Sequence, residues 1–112
     1  MTERVISRAV KVDNNPLTID EIVERVCSHY NVSSIDINSK SRKKNHVTAR
    51  QVSMYLAQKY TKMPSSRIGK LIGGRDHSTV LHSCSQVQER LKTDKKFSYD
   101  VAHIENSFKL KA

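Results

Sequence analysis

The chain has 112 residues, of which 20 are Lys or Arg and 11 are Asp or Glu, for a formal net charge of +9. That length sustains one hydrophobic core and excludes two. No apolar run approaches the roughly 18 residues of a membrane span, and residues 1–20 lack the continuous apolar core of a secretory signal. A cytoplasmic protein is expected, with Cys27 and Cys84, both on apolar helix stripes, as reduced core thiols rather than a disulfide.

The charge is concentrated. Residues 1–36 carry four bases and six acids, and residues 76–112 carry six bases and five acids. Residues 37–75 carry ten bases, from Lys40 to Arg75, and no acid. A solvated surface ordinarily mixes signs, so a one-sign stretch of this length points to a polyanionic partner. A basic face kept for solubility is the plainer alternative.

In chain order, Val5, Ile6, Ala9 and Val10 have helical spacing within residues 2–12, and Asp13-Asn14-Asn15-Pro16 stops that helix. Thr18 and Glu21 form a capping box. Behind it Ile19, Ile22, Val23, Val26, Cys27 and Tyr30 predict a helix over 19–30. A shorter helix, capped at Ser33 or Ser34, carries Ile35 and Ile37. Residues 39–46 are polar and aperiodic and read as a loop, whose bases suit phosphate contacts or insertion of an arginine into a minor groove. Thr48 is placed to cap a helix over 49–60 with Ala49, Val52, Leu56 and Tyr60 inside, Arg50 on the outer face and Gln51 at its flank.

A short helix over 66–72 follows, then a turn at Gly73-Gly74, where glycine enters positive φ without steric penalty. A longer helix runs from about Asp76, its N-cap, to Leu91. Val80, Cys84, Val87 and Leu91 make its apolar stripe, opposite Ser78, His82, Ser85 and Glu89. Ile68, Leu71 and Ile72 supply the surface that stripe buries against. Thr93-Asp94 caps a last helix with Phe97, Val101, Ile104 and Phe108 inside. No strand signal occurs. The expected fold is all-α, about six helices built round a helix-turn-helix and preceded by the N-terminal piece.

In a helix-turn-helix the N-terminal end of the second helix reaches base edges in the major groove. Asp76 can accept from the amine of cytosine, His77 can bond a purine or a phosphate, and Thr79 can offer its methyl to thymine. Arg75, just before the cap, is placed for a phosphate. Asp76 as a cap alone, and Ser78 and Thr79 as mere helix starters, are the competing structural readings. Enzyme chemistry finds no support. His77 and His82 do not share a helix face as a metal pair does. Gly69-x-x-x-Gly73-Gly74 lacks the Gly-Lys-Ser/Thr and the preceding strand of a phosphate loop.

Gly73-Gly-Arg-Asp-His-Ser-Thr-Val-Leu-His82 resembles the signature of the DNA-binding domain of the bacterial replication initiator family DnaA. Ala49-Arg-Gln-Val-Ser-Met-Tyr-Leu56 is similar to the helix before the helix-turn-helix in that family, and the basic loop at 39–46 falls where the family has one. The resemblance covers about residues 17–110. It implies that residues 1–16 are the end of the lid helix of a preceding AAA+ ATPase domain and a linker, with residues 17–112 the DNA-binding domain. It further implies that Asp76, His77, Ser78 and Thr79 read bases in the major groove, and that Arg42 enters the adjacent minor groove with Lys43 and Lys44 nearby. Arg50, Gln51, Thr61 and Ser66 match phosphate-holding positions, with Arg75 and His82 close to the backbone. Ser78 stands where the family often has threonine, Ser53 and Ser83 where it has small apolar residues, and Ser66 where proline is common.

The expected function is therefore sequence-specific binding of double-stranded DNA at short, asymmetric boxes of a bacterial chromosomal origin. No cofactor is expected for this chain, ATP and Mg²⁺ belonging to the ATPase domain that the resemblance places before it. The isolated domain is expected to be monomeric, with regulatory proteins sharing the basic face. A transcriptional regulator using the same module, and a basic module docking an acidic protein, are the alternatives. RNA binding is disfavoured, because the chain's four Tyr and two Phe mostly fall on apolar stripes and leave few stacking platforms.

Overall fold

Thr18 starts the first helix as its sequence requires. Its hydroxyl accepts from the Glu21 N–H at 3.2 Å while Glu21 accepts from the Thr18 N–H at 3.4 Å, so two otherwise orphaned donors are satisfied together. The structure, a computed structural model, describes residues 18–111. The helix predicted over 2–12, and its assignment to a preceding lid, lie outside them.

Six helices and no strand occur among the described residues: α1 Ile19–Tyr30, α2 Ser34–Asn38, α3 Lys44–Tyr60, α4 Ser65–Leu71, α5 His77–Thr93 and α6 Lys95–Lys111. Asn31 closes α1 in the left-handed region at φ 58°, a conformation asparagine tolerates. Ser33 and Asp36 form a second capping box at α2. Asp94 caps α6 by accepting from the Phe97 N–H at 3.1 Å. The predicted inner residues of α6, Phe97, Val101, Ile104 and Phe108, are all buried.

α3 is the hub and packs against α1, α2, α4 and α5. The four-residue stripe expected for it is too narrow. Met54, Ala57 and Ser53 are as fully buried as Val52 and Leu56, because neighbours cover this helix on several sides at once. It also starts earlier than expected, at Lys44 rather than 49. Thr48 is no cap but a buried residue of the second turn, with Arg90 Nη1 3.5 Å from its hydroxyl. The outer-face placement of Arg50 is overturned as well: its side chain turns into the body of the domain and Arg50 is only 8% exposed. The expectation that Leu71 belongs to the surface buried against α5 needs the same correction, since it is 45% exposed, and Ile35 on α2 is 77% exposed. Ile37 is the buried residue of α2, and Ile68 and Gly69, with Ile72 at the C-cap, are those of α4. Cys27 and Cys84 are both buried as free thiols, and burial pushes both thiols up from the ordinary value.

The two helices of the motif are drawn together at one point. The Arg75 N–H donates to the Gly69 carbonyl at 2.7 Å, and a Cβ on Gly69 would collide with the Arg75 carbonyl. Gly73 and Gly74 both have positive φ, 83° and 65°, which is why the sequence needs glycine twice here. The far end of α3 is tied to α6 by Glu105, which accepts from Lys59 Nζ at 2.6 Å and the Tyr60 hydroxyl at 2.9 Å.

Ser53 Oγ is buried without a hydrogen-bond partner among the described residues. Ser53→Ala is therefore expected to raise stability by about 1 kcal/mol, read as an increased urea midpoint at unchanged m-value. Arg50→Met should lower it by at least about 2 kcal/mol, because the carbonyls it serves lose their donors, and the same titration reads this.

Candidate nucleic-acid interface

The loop between α2 and α3 is shorter than expected, residues 39–43, and it is ordered by serines. Ser39 Oγ donates to the Asp36 carbonyl at 2.7 Å and accepts from the Ser41 N–H at 3.1 Å. Ser41 Oγ accepts from the Lys43 N–H at 3.2 Å and shares a 2.8 Å bond with His46 Nδ1. Short polar side chains that bond their own backbone neighbours fold such a segment without helix or strand. The side chains of Lys40, Arg42, Lys43 and Lys44 are left exposed, and Arg42 and Lys44 form no ion pair among the described residues.

Beneath this loop lies Arg50. Its Nε donates to the Ile37 carbonyl at 2.9 Å, and its Nη2 lies 3.0, 3.2 and 3.4 Å from the carbonyl oxygens of Ser39, Ser41 and Asp36. Here it organises the loop from inside rather than from the outer face of α3 expected for it. Burial, and secondarily the Arg75 guanidinium, pull its pKa down from the ordinary arginine value. Arg75 reaches the same loop from the other side. Its Nη2 donates to the Ser39 carbonyl at 3.0 Å and its Nη1 to the Ile72 carbonyl at 3.3 Å.

Asp76, His77, Ser78 and Thr79 are all exposed at the opening of α5. Asp76 also caps the helix, accepting from the Thr79 N–H at 2.9 Å. That bond, foremost among its causes, holds the carboxyl below the ordinary aspartate range. His82 and Ser85 continue this exposed face, and Leu81, 48% exposed, lies one turn beyond His77. The apolar stripe of α5 passes it by, since Val80, Cys84 and Val87 are the buried positions. A leucine outside a helix's own stripe was the signal by which sequence reading could have found it.

The other expected site residues divide. Ser66 is exposed on the first turn of α4. Gln51 donates from Nε2 to Gln86 Oε1 at 2.6 Å, and this pair bridges α3 and α5 along a groove that His82, Ser85 and Glu89 also line. Thr61 is half-buried, and its hydroxyl donates to the Ala57 carbonyl at 2.6 Å and accepts from the Met63 N–H at 3.4 Å. The structure thus brings the loop bases, Arg75 and the first turn of α5 together, ties Gln51 to α5 and leaves Thr61 at the far end of α3. No group of three or more His, Cys, Asp or Glu among the described residues is placed to hold a metal, and no described helix is long and apolar enough to cross a membrane.

Two helices joined through a diglycine turn, the second capped by Asp76 and opening on exposed polar residues beside a basic loop, define a helix-turn-helix domain. Residues 19–87 match the family described as bacterial dnaA protein helix-turn-helix, and the chain belongs to that family. It is 42% identical over all 112 of its residues to the chromosomal replication initiator protein DnaA of Bacteroides thetaiotaomicron, covering 24% of that protein. It is 42% identical over 109 residues to the same-named protein of Bacteroides fragilis, covering 97% of this chain and 23% of the relative. With the protein of that name from Flavobacterium psychrophilum it shares 36% identity over 110 residues, 98% of this chain and 23% of the relative. The chain thus spans about a quarter of the length of the curated relatives it matches.

Asp76 and Asp94 each sit below the ordinary aspartate range, held there first by the N–H groups of Thr79 and Phe97 respectively. Because the folded state favours the charged carboxylates, their contribution is complete above about pH 4 and is lost as pH falls through the lowered values. Stability should therefore drop on acidification below about pH 4, and Asp76→Asn with Asp94→Asn should flatten that acid limb in melts recorded across pH.

Proposed function

We propose that this chain binds double-stranded DNA in a sequence-specific manner, at short asymmetric boxes of a bacterial chromosomal origin. α5 lies in the major groove, with Asp76, His77, Ser78 and Thr79 at base edges. Arg42 enters the neighbouring minor groove, where a narrow, electronegative channel attracts a guanidinium. Lys43, Lys44, Gln51, Ser66 and His82 hold phosphates, and the half-buried Thr61 is carried with them by resemblance alone. Leu81 offers an apolar surface to a thymine methyl group. The ATPase activity, ATP and Mg²⁺ belong to the remaining three quarters of a DnaA-like initiator. Regulatory proteins would compete for the basic face of a domain that is monomeric on its own, in the cytoplasm.

One observation carries this reading: the loop that bears Arg42 is hydrogen-bonded to Arg75, the residue next to Asp76, at 3.0 Å. That bond ties the loop bearing Arg42 to the turn that leads into α5, which supports assigning both to one DNA-facing surface. The names of the relatives, all replication initiators, and the acid-free composition of residues 37–75 support it further. A chain docking an acidic protein would use the same bases but would have no need of a polar, outward-facing first turn on α5.

Titration against a selected duplex and a scrambled one tests this. His77→Ala should lose about 1–3 kcal/mol on the selected duplex only, whereas Lys44→Ala should weaken both alike and reduce the salt slope by about 1. Equal losses on both duplexes for His77→Ala would remove the base-reading assignment.

A further inference from the structure

Two guanidinium groups converge on one main-chain oxygen. Arg50, rising from α3, and Arg75, from the turn before α5, each place Nη2 3.0 Å from the Ser39 carbonyl. Like charges at this separation repel, more strongly where burial removes water, so the convergence persists only because carbonyl acceptors hold both groups. Arg50 is anchored further by the carbonyls of Ile37 and Ser41. Arg75 is anchored by the Ile72 carbonyl at the end of α4 and, through its own N–H, by Gly69. The planar fork of arginine suits this duty: one side chain can address two carbonyls in a fixed geometry, which a lysine ammonium cannot do.

The shared oxygen lies three residues from Arg42 along the loop, and Arg75 directly precedes Asp76. Resting on the function proposed above, we propose that Arg75 is a positioning residue. It fixes the distance between Arg42 and the reading turn Asp76–Thr79, and so the number of base pairs between the minor-groove and major-groove ends of the site, with Arg50 as its counterpart on the core side. A loop released from this brace still carries its charge, but it reaches the minor groove from many positions. The ordering then has to be supplied at binding, and the contact loses register. If Arg75 served instead as a phosphate ligand, its charge would be what counts and lysine would replace it.

Arg75→Lys separates the two roles. The probe is the duplex that the wild-type chain enriches from a randomised library, together with copies altered by single base pairs at each end. With Arg75→Lys, discrimination at the α5 end should stay within about twofold of wild type. Discrimination at the loop end should fall from about tenfold to under about threefold. Arg42→Ala should likewise cost about tenfold in the wild-type background and under about threefold beside Arg75→Lys, while Arg75→Lys alone, which keeps its charge, should leave the wild-type salt slope unchanged. Amide hydrogen exchange on the free chain reads the brace without DNA: residues 39–43 should exchange faster in Arg75→Lys while α1 and α6 keep their protection.

Retention of both discriminations, or equal weakening at both ends, overturns the proposal. So does loop exchange that Arg75→Lys leaves unchanged. Enrichment of no sequence by the wild-type chain instead defeats the reading of function, and the exchange measurement then decides the brace alone.

Discussion

The organisation of this domain depends on a buried arginine that serves main-chain carbonyls rather than an acid. Removing Arg50 from water is unfavourable for the charge, and among the described residues its bonds go to the carbonyls of Asp36, Ile37, Ser39 and Ser41. Those carbonyls belong to the end of α2 and the loop after it, a stretch too short and too polar to hold a conformation through apolar packing. A helix of only five residues and a loop of five more are thus given the definition of a regular element. Everything the loop presents to solvent, Arg42 above all, inherits its position from this internal cation.

From that anchor the rest follows in order. α3, which carries Arg50, is covered by α1, α2, α4 and α5, so the anchor is itself held by most of the hydrophobic core. The diglycine turn brings Arg75 back over the same loop, and the close approach at Gly69 fixes α4 against the start of α5. Three elements distant in sequence are therefore in register before any ligand arrives. Preorganisation of this kind lets electrostatic attraction to a polyanion be used for binding rather than for ordering the protein.

Sequence reading succeeded where a feature is local. The capping box of α1, a serine cap at the start of α2, the Asp76 and Asp94 caps, the glycine turn and the buried stripes of α5 and α6 are all set by residues within a few positions of one another. Reading failed where the cause lies across the fold. Nothing near position 50 in the chain says that an arginine flanked by Ala49 and Gln51 will turn inward, because its partners sit 9 to 14 residues upstream. The early start of α3 was hidden for a related reason. Residues 44–48 have no apolar period of their own, and their helix is held by His46 against Ser41 and by burial of Thr48. The candidate site was legible at the α5 end, where exposure follows from helical phase. The burial of Arg50 was not legible, nor was the exposure of Leu81, which needed the whole stripe of α5 to be weighed at once.

α5 divides its labour by angle around its axis. Val80, Cys84 and Val87 face the interior, while His77, Ser78, Leu81, His82 and Ser85 face outward and take no part in the core. The outward set can drift from one lineage to another without eroding the thermodynamic reserve of the domain. A change on that outward face therefore need not pass through an unfolded or weakened ancestor, and surface and core can diverge in small, independent steps.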